Sequence, residues 1–387
     1  MTIRKKKWLP LFLLLTLLMS LSACHPVEIG NAAVAAGLGL EWKNQEYTVS
    51  VQLAKPVDPS QPLPADQLPF ETVSARGATI TEAARKSNLV LPRFPLWAQT
   101  NVFVMGENMC RHDAALFADF FSRNRNTRKS AIIAIAIGAT PEEIMQAEAP
   151  LEPYSYPAIA KMLKIQEKQL GIYVPLTLGD FLFKLRTPGI EPLVPQVTLE
   201  KDEKGSFIKL DGAAVFKCHK MVGSLNERES RGYRWQTPGI IQGGIMDISS
   251  PFKGEKGLIT LELTRSQAAI KPLLKDNKII MEISLKAEGN YYGQDFSGEV
   301  LKLGMIKKIE ETANKEIQHE IQLCIDKAQK LGSDIFGWGR MIEAAYPDLW
   351  QEIKEDWPDL FSRADTDIRV EFNIRRSYLT DSSFVFR

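Results

Sequence analysis

The sequence predicts an α+β protein of several domains, with mixed, mostly antiparallel sheets, packed helices and one long amphipathic helix in the C-terminal half. Period-two patterns of half-buried strands recur along the chain, and the strands are grouped apart from the long helical pattern. The composition is that of a globular protein, since 44% of the 387 residues are hydrophobic and 25% are charged. This length accommodates about two to three domains.

The first 24 residues have the pattern of a bacterial lipoprotein signal. Residues 4–7 are basic, and residues 8–21 form an apolar run shorter than the about 20 residues that a membrane-spanning helix needs. The sequence Leu21-Ser22-Ala23-Cys24 then resembles the lipobox, where the Cys thiol takes a diacylglyceryl group. We therefore expect removal of residues 1–23 and a lipid on Cys24. The simpler alternative is an ordinary secretory signal cleaved next to a Cys.

Removal of this leader changes the charge balance. The whole chain has 48 basic and 47 acidic side chains, a net charge of +1, which argues against a nucleic-acid binder that uses massed Lys and Arg. The leader contains four basic and no acidic side chains, so 44 basic and 47 acidic ones remain, a net charge of −3. Attachment to an anionic membrane is therefore assigned to the two acyl chains on Cys24, each stabilised by about 0.8 kcal/mol per buried CH₂.

Residues 24–195 are predicted to form the N-terminal domain. Alternating apolar residues predict a strand at 47–53, and the proline-rich residues 56–69 read as an extended loop. A short helix is expected at 79–86. Three more elements follow in order: a buried strand at 101–105, a helix at 114–121 with Leu116, Phe117, Phe120 and Phe121 on its apolar face, and a buried strand at 131–137. Thr140-Pro141-Glu142-Glu143 has the pattern of a helix start.

The boundary is predicted between residues 195 and 196, because 187–195 contain three prolines and a glycine. The C-terminal domain, 196–387, can subdivide further. Strands are expected near 213–216, 259–263, 279–285 and 368–374. Apolar residues from 306 to 331 recur at spacings of three and four and predict the long helix, which ends at Leu331-Gly332.

Short motifs in a fixed order connect the sequence to a known family. In the first half they are the Gly-containing strand end 35–40, the strand 47–56 ending in Pro, and the apolar strand closing in Gly106-Glu107. In the second half they are 212–225, Glu229-Ser230-Arg231-Gly232 before Trp235, Ile270-Lys271-Pro272, Asp334-Ile335-Phe336-Gly337-Trp338-Gly339, and Ile374-Arg375-Arg376. These motifs resemble the Ger(x)C family, the lipoprotein C subunit of germinant receptors in endospore-forming bacteria. Ser377 directly follows the last motif, whereas the family usually has Gly shortly afterwards, and the loop 56–69 is long for the family.

The resemblance implies a subunit without catalytic chemistry and without a cofactor other than the lipid on Cys24. It implies anchoring at the outer face of the spore inner membrane, beside two integral-membrane partners. One is a transporter-like subunit that senses the nutrient, and the other is a membrane subunit with large soluble domains. The alternative function is a lipoprotein solute-binding protein that delivers a small ligand to a membrane transporter, which usually has two similar lobes.

The inventory of reactive residues is small. No common hydrolase, metalloprotease or nucleotide-binding motif is present, and four His offer little material for a metal site. We expect no metal, and a disulfide among Cys110, Cys218 and Cys324 is left open. A carboxylate site that uses Glu107, Asp113 and Asp119 is a further alternative, although the sequence gives no convincing acid–base pair.

The most specific block of the resemblance contains the candidate interface or ligand loop. Gly337 and Gly339 permit close approach of a ligand to the backbone, and Trp338 between them offers a stacking face. Trp350 and Trp357 are two helical turns apart and would share one face of a helix if it continues that far, and Pro358 should end that helix soon afterwards. In each case the competing interpretation is packing of the tryptophan in the core.

Overall fold

The structure, a computed structural model, describes residues 29–55, 69–124, 127–149, 151–203, 205–237, 239–252, 254, 256–276, 278–296 and 303–377. Cys24 and its leader, and all but the last residue of the predicted loop 56–69, lie outside the described residues. Two mixed sheets with packed helices confirm the predicted α+β class.

The first sheet is built from ten strands of the described part of the chain. They are β1 Ala32–Lys43, β2 Glu46–Ala54, β3 Phe70–Gly77, β4 Phe94–Leu96, β5 Val102–Gly106, β6 Ile132–Ala136, β7 Leu176–Thr177, β8 Leu193–Lys201, β9 Ser206–Lys217 and β10 Lys220–Leu225. The order β10-β9-β8-β6-β5-β1-β2-β3 has parallel pairs in its centre and antiparallel pairs at its edges, with β4 beside β1 and β7 beside β6.

The second sheet is smaller and mostly antiparallel. Its strands are β11 Gly239–Ile241, β12 Ile245–Ser249, β13 Leu258–Lys275, β14 Lys278–Gln294 and β15 Asp365–Ser377. β13 and β14 form a long hairpin, and β15 adds to β14 in parallel. A parallel neighbour needs a crossover connection, which the helices between β14 and β15 provide.

Eleven helices lie in the described residues. They are α1 Ile80–Lys86, α2 Glu107–His112, α3 Ala115–Arg123, α4 Pro141–Gln146, α5 Ser155–Gln169, α6 Leu178–Arg186, α7 Glu227–Gln236, α8 Leu303–Leu331, α9 Trp338–Ala345, α10 Pro347–Ile353 and α11 Trp357–Phe361. α8 spans 29 residues and buries one side against the second sheet, and the helix ends where Gly332 takes a φ of +62°.

Several local predictions are confirmed for physical reasons that the sequence displays. The alternating residues of β2 are buried, and the apolar runs become the central strands β5 and β6. α4 begins with a capping box between Thr140 and Glu143, and the Thr79 side chain caps α1. One assignment is wrong: Leu116, predicted on the apolar face of α3, is 46% exposed, whereas Phe117 and Phe121 are buried.

The two sheets share the central part of the chain. The predicted boundary between residues 195 and 196 falls inside β8, and the strand expected near 213–216 is β9 of the first sheet. Leu193 and Val215 nevertheless pack into the core of the second sheet. Strands β8 to β10 therefore connect the two halves.

Candidate functional site

The candidate loop of the sequence is closed around a buried carboxylate. Oδ1 of Asp334 accepts hydrogen bonds from the backbone N–H of Gly337 at 2.9 Å and of Trp338 at 3.0 Å. Oδ2 accepts from the N–H of Gly339 at 2.8 Å and from Nε1 of Trp357 at 3.0 Å. Gly337 has a φ of +76°, in the left-handed region that glycine adopts without strain. The donors of this turn are thus occupied by one side chain of the protein itself.

A segment from the first half of the chain lies directly against this turn. A Cβ on Gly339 would come within 2.6 Å of the Cα of Gly189, so the two backbones touch where neither residue has a side chain. The N–H of Arg340 donates to the carbonyl of Gly189 at 3.2 Å, and the N–H of Glu191 donates to that of Asp334 at 2.8 Å. This close approach explains why glycine occupies position 339.

Two further contacts extend the junction to the end of β9. The hydroxyl of Ser333 donates to the carbonyl of Phe216 at 2.5 Å, and Oε1 of Glu191 accepts from the N–H of Cys218 at 2.9 Å. We call the region of Gly189, Glu191, residues 333–339 and Trp357 the Asp334 junction. It joins the two halves through backbone and carboxylate hydrogen bonds.

Burial changes the protonation of both carboxyls in the junction. Loss of solvation raises the pKa of Glu191 to about 7; the Cys218 N–H opposes this and the charge of Asp334 adds to it. Loss of solvation also raises the pKa of Asp334 to about 6, despite its four hydrogen bonds. Because the folded protein then binds these protons more tightly than the unfolded chain, both carboxyls lower its stability as pH rises from about 4 to 7.

The three tryptophans of the candidate site are core residues. Trp338 is fully buried, and Trp350 and Trp357 are 2% and 3% exposed. The Trp338 ring packs on Phe361 with centroids 5.3 Å apart, and the Trp350 and Trp357 rings meet edge to face at 5.8 Å. Their burial corresponds to the packing interpretation, since no ring face is available to a ligand.

The helix that contains Trp350 does not continue to Trp357, so the two residues do not share one helix face. Trp350 lies in α10 and Trp357 begins α11, after a turn at residues 354–356. Pro358 stands in the first turn of α11 instead of ending a helix, because the first helical residues have no intrahelical partner for their N–H groups. The two rings meet through this change of direction.

A second buried cluster joins α7 to α8. Glu320 is fully buried, and Nε of Arg231 donates to its Oε2 at 2.9 Å. Nε1 of Trp235 donates to the same oxygen at 2.9 Å. A Cβ on Gly232 would lie 2.1 Å from the carbonyl oxygen of Glu320, so the two helices cross in close contact at this glycine. Burial lowers the pKa of Arg231, but the hydrogen bonds and charge of Glu320 outweigh this and the pKa is raised.

α7 also reaches the first half of the protein through Arg234. This side chain is 1% exposed, and its guanidinium donates to the carbonyls of Glu167, Gln242 and Gly243 at 3.2, 3.3 and 2.8 Å. Burial lowers the pKa of Arg234 to about 10. Glu167 belongs to α5, so successive turns of α7 bind α8 on one side and α5 on the other. The helix is a second structural link between the halves.

The three acids considered for catalysis have separate local roles. Glu107 pairs with Arg111 at 2.7 Å and Asp119 with Arg123 at 2.9 Å, each one helical turn away. Oδ1 of Asp113 accepts from the N–H at position 115 at 2.7 Å, at the start of α3. The structure therefore does not bring them together as a paired site.

The cysteines and histidines are likewise dispersed. Cys110, Cys218 and Cys324 are free thiols, and burial raises the pKa of Cys110 and Cys324 well above the usual value. The His112 ring stacks on Trp42, with centroids 3.7 Å apart. Within the described part of the chain, no group of three or more His, Cys, Asp or Glu side chains is arranged to hold a metal ion. In the same part, no helix is long and apolar enough to cross a membrane.

Sequence reasoning did not assign roles to Asp334, Glu191, Glu320 and Arg234. A signal was available for two of them. Asp334 precedes Gly337 by three residues, a spacing at which Asp side chains bond turn N–H groups. Glu320 falls between Ile317 and Ile321 on the apolar stripe of α8, where a carboxylate needs a partner. The partners of Glu320, Trp235 and Arg231, are 85 and 89 residues away in the chain and have no local signal.

Comparisons with known proteins give one family for both halves. Residues 25–199 match a family model described as the spore germination protein N-terminal domain, and residues 211–378 match one described as spore germination B3/GerAC like, C-terminal. The chain is 24% identical to spore germination protein KC of Bacillus subtilis, over 98% of this chain and 97% of that protein. It is 26% identical to spore germination protein B3 of the same organism, over 92% of this chain and 95% of that protein.

The fold has a counterpart among solved structures. The crystal structure of the GerBC protein superposes with a TM-score of 0.58 at 22% identity, and covers 87% of this chain and 96% of that chain. The same mixed architecture is thus found in a protein of low sequence identity. The two family models, which together match residues 25–199 and 211–378, place the chain in the GerAC-type family of spore germination proteins, the Ger(x)C family that its motifs resemble.

Proposed function

We propose that this chain is a lipid-anchored, non-catalytic subunit of a nutrient germinant receptor at the outer face of the spore inner membrane. It would act in spore germination through contacts with integral-membrane subunits of the receptor. The observation that carries the proposal is the match of both halves to spore germination families, residues 25–199 and 211–378. The first match begins directly after Cys24, the residue predicted to carry the lipid.

The lipobox supports the anchor. Its four positions follow a basic segment and an apolar run in the order that a lipoprotein signal requires. Two acyl chains give stable membrane attachment where one chain does not. The net charge of −3 after cleavage makes electrostatic binding to anionic lipid a weak substitute.

The structural roles of the buried charged groups support a protein that acts by contacting partner subunits. Three of the buried charged side chains, Asp334, Glu320 and Arg234, hold secondary-structure elements to each other. Such a body is suited to present a fixed surface to partner subunits. The alternative of a two-lobed solute-binding protein fits less well, because the described sheets have ten and five strands and different orders.

The anchor is tested by replacing Cys24 with Ala in sporulating cells. We expect spores that remain viable, release this protein from the inner membrane and lose most nutrient-triggered germination. Cell fractionation and the loss of optical density after nutrient addition measure the two effects. Cys218→Ala is the matched control, since Cys218 is an exposed free thiol, and it is expected to leave both unchanged. Normal germination of Cys24→Ala spores that lack the anchored form would refute the proposal.

A further inference from the structure

The N-terminal half contains a cavity of about 230 Å³ between the first sheet and two helices. α1 and α3 form one side, and strands β1, β2 and β5 form the other. The lining residues are Leu38, Leu40, Val49, Ile80, Thr81, Ala84, Arg85, Asn88, Trp97, Phe103, Phe120, Phe121, Asn124 and Thr127. The cavity shares no residue with the Asp334 junction.

The walls are apolar and rich in aromatic rings. Leu40 is fully buried, and Phe103 and Phe121 are 1% and 2% exposed, with their centroids 4.7 Å apart. This part of the lining accepts an apolar body, since ordered water there would lack the two to four polar partners that it needs. A cavity of about 150 Å³ holds benzene, so this one has room for a ring or short chain of about six to eight carbons.

Two polar groups of the lining lack partners. Thr127 is 8% exposed, and its buried Oγ1 makes no hydrogen bond to any described residue. A buried hydroxyl without a partner is costly, so a ligand atom that pairs with it gains affinity. Arg85 is an exposed residue of α1 and the one charged residue of the lining, and its guanidinium makes no hydrogen bond or ion pair to a described residue. An unpaired guanidinium beside an apolar space is suited to a carboxylate.

We propose that this cavity binds a small monocarboxylate with an apolar body. The carboxylate would pair with Arg85 and accept a hydrogen bond from the hydroxyl of Thr127, and the body would lie among Leu40, Phe103 and Phe121. A single cation in the lining and an apolar space of this size select against cations, sugars and long acyl chains. The inference goes beyond the proposed receptor role and does not rest on the lipid anchor.

The test is calorimetric titration of the full-length chain in detergent with benzoate and with hexanoate. We expect saturable one-to-one binding with a Kd of about 1 mM or tighter, given ligands of this size. Benzyl alcohol and hexanol, which lack the charge, should bind about tenfold more weakly or worse. Arg85→Gln should weaken carboxylate binding about tenfold or more and leave alcohol binding unchanged, because only the charged hydrogen bond is lost.

Two further variants distinguish the cavity from other sites. Ala84→Phe fills the space and should abolish binding of acid and alcohol alike, whereas Arg93→Gln, outside the lining, should change neither. If Ala84→Phe unfolds the protein, Thr127→Val keeps the shape and should still weaken carboxylate binding severalfold. Absence of saturable carboxylate binding, or carboxylate binding that Arg85→Gln leaves at full strength, would overturn the proposal, whatever the germination phenotype of the anchor variant.

Discussion

Asp334→Ala is expected to lower the free energy of unfolding by about 3–5 kcal/mol at pH 5. The substitution leaves three backbone N–H groups and the indole N–H of Trp357 without their acceptor in a buried site. Each buried donor that loses its partner costs about 1–3 kcal/mol, and the costs are not fully additive. Because the turn also contacts Gly189 and Glu191, we expect the two halves to loosen together.

The pH dependence provides a signature of this carboxyl. The folded pKa of Asp334 is raised to about 6, so its contribution to stability is full below the unfolded pKa and is lost as pH rises through 6. The difference in free energy of unfolding between wild type and Asp334→Ala should therefore shrink by about 1–2 kcal/mol between pH 5 and pH 8. Without the Asp334 charge, the pKa of Glu191 is raised less. The destabilisation caused by Asp334→Ala therefore shrinks further as pH rises.

Urea unfolding followed by tryptophan fluorescence measures this effect, because Trp338 and Trp357 lie at the junction. Asp326→Ala is the control: Asp326 is exposed on α8 and accepts one hydrogen bond, from Gln322. It should change the unfolding free energy by about 0.5 kcal/mol or less. The role assigned to Asp334 would be contradicted if Asp334→Ala lowered the free energy of unfolding equally little, or if its destabilisation grew as pH rises.

Glu320→Gln is expected to destabilise the protein by about 3–5 kcal/mol, because it leaves the Arg231 guanidinium buried without its counter-charge. Arg231 is 13% exposed in its side chain and Glu320 is not exposed at all. Glu316→Gln is the matched control one turn earlier on α8, where the pair with Arg228 is open to solvent. That change should cost about 1 kcal/mol or less. The unfolding midpoint of each variant in urea gives the comparison.

A double variant separates the charge from the packing. Glu320→Met combined with Arg231→Met removes both charges, and we expect it to be less destabilised than Glu320→Gln alone, apart from the unpaired Trp235 N–H. If the double variant is at least as unstable as Glu320→Gln, the pair does not act as a coupled unit. Equal stability of Glu320→Gln and Glu316→Gln would lead to the same conclusion.

Local sequence signals predicted the elements that depend on neighbours in the chain. The alternation in β2, the capping box of α4 and the glycine stop after α8 each depend on residues within a few positions of one another. The family resemblance marked residues 334–339, which form part of the Asp334 junction. It did not reveal that the Asp334 carboxylate accepts from the backbone N–H groups of Gly337, Trp338 and Gly339.

Long-range features were not predictable in the same way. The boundary expected near residue 195 rests on prolines, yet the pairing of β8 with β6 depends on hydrogen bonds to a strand some 60 residues earlier. Burial of Arg234 depends on carbonyls from α5 and from residues 242 and 243. The cavity at Arg85 arises where α1, α3 and three strands meet, a juxtaposition that no local pattern encodes.

The central claim, a receptor subunit held at the membrane beside integral-membrane partners, is tested most directly by affinity purification of the tagged full-length chain from detergent-solubilised spore inner membranes. We expect the chain to elute at constant stoichiometry with a transporter-like subunit and a membrane subunit with large soluble domains. The Cys218→Ala chain should recover the same partners. Recovery of the anchored wild-type chain alone, without either membrane subunit, would contradict the account.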